Sequence, residues 1–205
     1  MNNKCYIGEN GNVPSWGNGR GIHGDVEHMS SNMFTDGNSK LFITSDTHFF
    51  HKNILVYEKD NRPFASIDEM NDEMVSRWND VVGENDYVLH LGDFAFTGLE
   101  KMKDIVSKLN GKIILLIGNH DNVKRCKLPE LGFHRVIEKP FVLDEKFIMS
   151  HEPLIDVPDG MVNVFGHVHG HKSFLTESEN AYCVCVERHN CRPINWIDDV
   201  RSRFI

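Results

Sequence analysis

The chain has 205 residues, of which 40% are hydrophobic and 25% are charged, and its formal net charge is -8. This length suits one globular domain with a sizeable core, and the composition excludes disordered and fibrous chains. No run approaches the roughly 18 apolar residues that a membrane span needs, so we expect no membrane association. The negative net charge makes long nucleic acid an improbable partner.

The amino terminus and the cysteines bear on the cellular compartment. The first residues, Met1-Asn2-Asn3-Lys4-Cys5, are not followed by the apolar stretch of a secretion signal. The five cysteines are an odd number and form no pair of CxxC motifs. We therefore expect reduced thiols, without a zinc ribbon or a disulfide framework, and a cytoplasmic location.

A change of composition divides the chain near residue 40. Residues 1–39 contain seven Gly and seven Asn, and their apolar residues show no periodic spacing. We therefore interpret them as an amino-terminal extension, whose sequence indicates no function. From residue 41 onward, short apolar strands alternate with amphipathic helices. This alternation predicts one α/β domain over residues 40–205.

The elements of this domain are marked by local signals. Ser66 and Glu69 form a capping box that predicts a helix after Ser66, and Thr97 and Glu100 predict a second helix that ends at Asn110. Strands are predicted at 41–44, 87–91, 113–117, 141–143, 147–150, 162–165 and 182–187.

Five of the predicted strands are followed at once by residues that can bind metal ions. These are Asp46-Thr47-His48, Gly92-Asp93, Gly118-Asn119-His120-Asp121, His151 and Gly166-His167-Val168-His169. The carboxyl ends of strands in an open α/β sheet share one rim, so we expect the five clusters to converge. One such histidine alone would be read as a surface residue, but five ordered clusters favour a site. Mixed imidazole, amide and carboxylate ligands suit Mn, Fe, Zn or Ni.

In this order, the clusters resemble the motif set of the calcineurin-like metallophosphoesterases. The flanking segments Arg62-Pro63-Phe64 and Ser150-His151-Glu152-Pro153 resemble more narrowly the small bacterial and phage members, which lack a large cap domain. The resemblance covers residues 41–205. It implies an α/β fold, a four-layer αββα sandwich with mixed sheets, and a two-metal site at its rim.

The resemblance also implies a ligand set for two divalent ions, with manganese expected and Fe, Zn or Ni as alternatives. One ion would be held by Asp46, His48, Asp93 and His169, and the other by Asp93, Asn119, His151 and His167. Two dications about 4 Å apart repel by roughly 17 kcal/mol at an effective dielectric constant near 20, so anions must lie between them. Asp93 and a bridging hydroxide that attacks phosphorus would supply these anions.

His120 is the candidate general acid or charge stabiliser, as the resemblance also implies; the alternative is a histidine that only caps its loop. The chain departs here from the phosphoprotein phosphatases, which have Gly-Asp-x-x-Asp followed by Arg. This chain has Gly92-Asp93-Phe94-Ala95-Phe96-Thr97 instead. A protein phosphatase is therefore disfavoured, and the partner that orients His120 is open, with Asp121 as one candidate.

The remaining histidines and cysteines are assigned by their neighbours in the sequence. His51 and His171 are candidate substrate contacts, with an exposed surface position as the equal alternative. His90 lies inside a strand, which favours a buried and hydrogen-bonded side chain. Cys183 and Cys185 share one face of a strand, which favours core packing.

The function that we expect is dinuclear, metal-dependent phosphodiester hydrolysis of a small nucleotide or cyclic nucleotide. A phosphomonoesterase and a nuclease would use the same ligands. The alternative from a different functional class is a binding scaffold that has kept the fold and lost catalysis, and the intact motifs disfavour it. The sequence carries no signal for the oligomeric state.

Overall fold

The computed structural model describes residues 26–35, 37–121, 125–171 and 179–205. Within these ranges, ten strands form two five-stranded sheets. The strands are β1 His28–Met29, β2 Leu41–Thr44, β3 Tyr87–His90, β4 Lys112–Leu116, β5 Arg135–Ile137, β6 Phe141–Leu143, β7 Phe147–Met149, β8 Val162–Phe165, β9 Ala181–Cys183 and β10 Ile194–Asn195.

Both sheets mix parallel and antiparallel pairs. The first sheet has the order β10-β2-β3-β4-β5, in which β10 is antiparallel to β2 and the other neighbours are parallel. The second has the order β1-β6-β7-β8-β9, in which β6 and β7 are antiparallel and the other pairs are parallel. The predicted α/β class with mixed sheets is confirmed.

In the part of the chain that the structure describes, three α-helices lie between the strands of the first sheet: α1 Ile54–Tyr57, α2 Ile67–Asn79 and α3 Leu99–Lys108. The Ser66 side chain caps α2 by accepting the backbone N–H of Glu69, as the sequence predicts. The capping box predicted at Thr97 is wrong. Helix α3 begins one residue later, with Gly98 at the N-cap and no side-chain cap, so Thr97 lies outside the helix.

Two hydrophobic cores bury both faces of the first sheet. Val88 and Ile113 point outward and pack with Trp78 of α2 and Ile105 of α3. The alternate residues Leu89 and Ile114 point inward and pack with Phe147 and Val164 of the second sheet. This double burial explains the continuous apolar runs of β3 and β4. The outer face of the second sheet is covered by loop residues, including Leu154, Val157 and Met161.

Part of the predicted amino-terminal extension contributes to the second sheet. Strand β1 pairs with β6, and a 3₁₀ turn follows at Ser31–Phe34. Met29 and Phe34 are buried in the core between the sheets. Residues 1–25 of the predicted extension lie outside the described residues. Within the described ranges, no helix combines the length and apolar composition that crossing a bilayer requires.

The two sheets are joined at one edge, just beyond β2 and β9. Ser45 pairs with Cys185, and the Ser45 N–H donates to the Val184 carbonyl at 3.1 Å. The strand predicted at 182–187 therefore ends early, and Val186–Arg188 form a 3₁₀ turn. This junction brings the chain segments that follow β2 and β3 close to those that follow β7 and β8.

Candidate metal centre

The backbone turns sharply at the predicted metal ligands. Five of the seven have a positive φ: Asp46 58°, His48 48°, Asp93 58°, His167 70° and His169 52°. This conformation costs about 1 to 3 kcal/mol for a residue other than glycine and concentrates at functional sites. Backbone hydrogen bonds hold two of the turns together, because Asp46 N–H donates to the Gly92 carbonyl and His48 N–H to the Asp93 carbonyl.

A first group of ligand atoms comes from Asp46, His48 and His169, whose atoms all lie within 4.8 Å of one another. Asp46 Oδ1 is 3.9 Å from Nε2 of each histidine. Among the described residues, neither Asp46 Oδ1 nor His48 Nε2 has a hydrogen-bond partner, although both atoms are buried. A buried polar atom without a partner is costly, and a cation at this point would satisfy both.

A second group comes from Asp93, His151 and His167, also within 4.8 Å of one another. Asn119 Oδ1 lies 2.7 Å from His151 Nε2 and 3.0 Å from His167 Nδ1. Burial lowers the pKa of His151, but the carboxylates of Asp93 and Asp46 outweigh this effect and raise the pKa to about 9. A proton and a metal ion therefore compete for His151 Nε2.

One carboxylate oxygen lies between the two groups. Asp93 Oδ2 is 3.4 Å from His48 Nε2 and 3.5 Å from His151 Nε2. Burial raises the pKa of Asp93, but the neighbouring imidazoles of His151 and His48 hold it well below its ordinary value. Asp93 is thus an anion where two cations would need one, and the two donor sets together fit two divalent ions.

Supporting hydrogen bonds fix which atom each ligand presents. Asp46 Oδ2 accepts from Ser45 Oγ at 2.5 Å and from the His167 backbone N–H at 2.8 Å, which leaves Oδ1 for the first group. His151 Nδ1–H donates to the Leu91 carbonyl at 2.8 Å, which leaves Nε2 for the second group. Such outer partners orient metal-binding side chains and raise their basicity.

A buried ion pair that the sequence reasoning missed supports the first group. Arg62 donates to the Asp46 and Thr47 carbonyls, and it pairs with Glu187 Oε1 at 2.6 Å. Burial raises the pKa of Glu187, but the Arg62 charge and the hydrogen bond from His169 lower it to about 2. In the sequence, Arg62 belongs only to the flanking segment Arg62-Pro63-Phe64. The one signal for Glu187 was a charged residue directly after an apolar stretch.

Asp121 is not the residue that orients His120, so that suggestion is wrong. The buried Asp121 carboxylate accepts the backbone N–H groups of Asp93, Phe94 and Gly118 at 2.8 to 2.9 Å. Burial and the charge of Asp93 raise the Asp121 pKa. Its role is to tie the loop after β3 to the loop after β4.

Of the other candidate histidines, His120 and His51 lie close to the ligands and His171 lies farther out. The His120 ring is centred 5.6 Å from the His48 ring and lies edge-on to Phe96. The His51 ring is centred 5.2 Å from His48, so both histidines lie beside the ligands. His171 lies farther out, with 73% of its side chain exposed and Nε2 3.5 Å from Glu58.

His90 and the cysteines have the buried positions that the sequence predicts. His90 Nε2 lies 3.0 Å from Thr47 Oγ1, and Nδ1 accepts the Gly92 N–H. Burial lowers the His90 pKa to about 3, so this ring is neutral. Cys183 and Cys185 pack with Phe165, and the Cys185 thiol also donates to Asp46 Oδ2 at 3.3 Å.

Comparisons with known proteins agree with this geometry. The family model for calcineurin-like phosphoesterases matches residues 39–202. An uncharacterized protein of Methanocaldococcus jannaschii is 34% identical over 165 residues, which cover 76% of this chain and 86% of that relative. The crystal structure of a protein of unknown function from Aquifex aeolicus shares the fold, with a TM-score of 0.64 and 23% sequence identity. The superposition covers 80% of this chain and 100% of the Aquifex chain. The chain belongs to the calcineurin-like phosphoesterase family.

Proposed function

We propose that this phosphoesterase hydrolyses phosphodiesters of small, nucleotide-like or cyclic nucleotide substrates with two divalent cations. The observation that carries the proposal is the position of Asp93 Oδ2 between the two donor groups, 3.4 Å from His48 Nε2 and 3.5 Å from His151 Nε2. Bound there, divalent ions act as Lewis acids and lower the pKa of a coordinated water. Manganese is the ion that we propose, with Fe, Zn or Ni as alternatives.

The charges of the ligands favour an anionic substrate. Asp46 and Asp93 contribute two negative charges, which only partly neutralise two dications. The centre therefore attracts a phosphate group although the whole chain carries a formal net charge of -8. We propose that His51, whose ring is beside that of His48, contacts this substrate, and that His171 contacts only a part of it that extends outward to Glu58.

His120 serves the leaving group in this proposal. Its backbone N–H donates to Asp93 Oδ1 at 2.8 Å, which fixes the loop beside the ligands. Its ring is beside that of His48 but is not a member of either ligand group. An imidazole at this edge can donate a proton to the departing alkoxide oxygen.

Among the side chains that the structure describes, two arginines near the centre favour a diester over a monoester. A monoester dianion is often bound by a free guanidinium that makes paired hydrogen bonds. Here Arg62 is buried and bonded to Glu187 and two backbone carbonyls. Arg188 donates to the carbonyls of His169 and His171. Both arginines are thus already committed to the protein, and a diester monoanion needs such a contact less.

A turnover screen tests this proposal. The protein is loaded with Mn, Fe, Zn or Ni and assayed on bis(4-nitrophenyl) phosphate, 4-nitrophenyl phosphate, cyclic nucleotides and single-stranded DNA. We expect kcat/KM to be highest for the small diesters. Higher turnover of the monoester would favour a phosphomonoesterase, and higher turnover of the DNA would favour a nuclease. Bound metal without any turnover would favour a binding scaffold.

Asp93→Asn supplies the inactive control for this screen, because it removes the anion between the donor groups. Losing a residue that merely supports a metal ligand costs about 10- to 100-fold, so we expect a loss above 100-fold here. Asp104→Asn is the matched variant, since Asp104 is exposed and pairs with Lys108 on α3. Two tightly bound ions and normal turnover in Asp93→Asn would contradict the proposed bridging role.

We also propose a cytoplasmic location. Cys183, Cys185 and Cys191 are buried free thiols, and reduced thiols are the usual state in that compartment.

A further inference from the structure

Phe96 holds a large apolar ring in a half-exposed position next to the metal centre. It is 49% exposed. Its backbone N–H donates to the Phe49 carbonyl at 2.8 Å, which fixes the chain at this point. One face of its ring stacks on His51, with centroids 4.7 Å apart and planes 27° apart. The exposed half is therefore on the side away from His51.

Tyr57 presents a second exposed aromatic ring on the same histidine. It is the last residue of α1 and is 66% exposed. Its ring meets the His51 ring edge-on, with centroids 6.2 Å apart. Neither Tyr57 nor Phe96 belongs to the hydrophobic cores that stabilise the fold. Singly exposed apolar residues are ordinary, whereas a contiguous apolar patch can mark a binding surface.

The three rings are next to the residues to which we assign metal binding and proton transfer. The His51 ring is centred 5.2 Å from the ring of the metal ligand His48. The Phe96 ring is centred 6.0 Å from the ring of His120, which it meets edge-on. A group bound on Phe96 would therefore be on the side of the centre where His120 serves the leaving oxygen.

We propose that Tyr57, His51 and Phe96 form an aromatic shelf, which stacks a planar ring carried by the leaving group of a phosphodiester substrate. The inference rests on the proposed function and narrows it to diesters that release an alcohol bearing an aromatic ring, such as a nucleoside. Rings of any base can stack on such a shelf, because each has a π-face.

Two diesters that differ only in the ring test this assignment: methyl 2-phenylethyl phosphate and methyl 2-cyclohexylethyl phosphate. Their charges are equal, and their leaving alcohols are closely similar in size and acidity. Replacing an aromatic side chain that stacks on a base with alanine weakens binding by a factor of roughly 5 to 150. We expect Phe96→Ala to lower kcat/KM for the phenyl diester by this factor and for the cyclohexyl diester by clearly less.

Two further variants separate stacking from other effects. Phe96→Leu keeps an apolar side chain without a π-face, and it should also lose the preference for the phenyl diester. Ile197→Ala is the matched control. Ile197 is 46% exposed and follows β10, whose Asn195 pairs with Phe42 near the opposite end of β2. This variant should keep the wild-type preference.

The outcomes distinguish the shelf from the proposed function. Equal losses on both diesters in Phe96→Ala would overturn the shelf while leaving diester hydrolysis intact. If the metal-loaded wild type cleaves neither diester, the shelf is judged by NMR titration with uncleaved methyl 2-phenylethyl phosphate, and the proposed function fails if bis(4-nitrophenyl) phosphate and the cyclic nucleotides are not cleaved either. Ring-proton shifts of Phe96 and Tyr57 that exceed those with the cyclohexyl diester would support the shelf, and their absence would overturn it.

Discussion

Glu187 Oε1 accepts a hydrogen bond from His169 Nδ1 at 2.8 Å. Because Nδ1 carries the proton, Nε2 of His169 is free to face Asp46 Oδ1, 3.9 Å away. The same Glu187 oxygen is bound by Arg62, which also holds the Asp46 carbonyl. One buried ion pair thus positions the side chain of one candidate metal ligand and the backbone of another.

We expect Glu187→Gln to weaken metal binding by about 10- to 100-fold, because His169 loses a charged partner that fixes its protonated nitrogen. The variant also leaves Arg62 buried without its counter-charge, which should cost about 3 to 5 kcal/mol of unfolding free energy. Calorimetric metal titration and urea unfolding measure the two effects. The exposed Glu84→Gln is the matched control, and metal affinity equal to that control would contradict the role of Glu187.

His120→Ala should keep its fold and both metal ions, because His120 belongs to neither ligand group. Its rate on a diester with a poor alkoxide leaving group should fall about 100- to 10,000-fold, the scale for losing a general acid. A nitrophenolate needs little protonation, so the loss on a nitrophenyl ester should be much smaller. The exposed His134→Ala is the control. Equal losses on both substrates would remove the general-acid role.

Gly166→Ala tests how closely the chain approaches Asp46. A Cβ at Gly166 would lie 2.3 Å from both Asp46 Oδ2 and Ser45 Oγ. Asp46 must then move, so we expect at least a 10-fold loss of metal affinity and a destabilisation of about 1 to 3 kcal/mol. Gly98→Ala has open space around its Cβ and should change stability by less than about 1 kcal/mol. Metal titration that cannot distinguish the two variants would show that the contact is unimportant.

The buried His90 should make the protein less stable in acid. Its pKa falls from 6.5 to about 3 on burial, so the unfolded chain binds a proton that the folded chain rejects. The stabilisation is present above pH 6.5 and is lost as the pH falls from there toward 3. Between pH 7 and pH 5 this amounts to about 2 kcal/mol.

Urea unfolding of wild type and His90→Asn at pH 7, 6 and 5 measures this contribution. Asn does not titrate, so the variant should lose about 2 kcal/mol less than wild type over this range. The exposed His134→Asn should follow wild type. Parallel pH dependence in wild type and His90→Asn would contradict the assignment.

Strands and helices with strong local patterns were predictable, and short ones were not. Strand β2 and helix α2 were found from an apolar run and from the Ser66 cap. Strands β1 and β10 have two residues each, which is too short to show an alternation. Their place in the sheets depends on partners far along the chain, such as β6 for β1 and β2 for β10.

The sequence by itself determined the α/β class, the family and the candidate ligands, because polar residues that follow successive strands must collect at a common rim. Only the tertiary structure decided how these ligands are supported. Arg62 and Glu187 are 125 positions apart and meet only after the two sheets have packed. The three backbone donors that occupy Asp121 and the exposed position of Phe96 also depend on packing. Local periodicity reports which face of a strand or helix is buried, but it carries no information about which distant side chains the buried charges will meet.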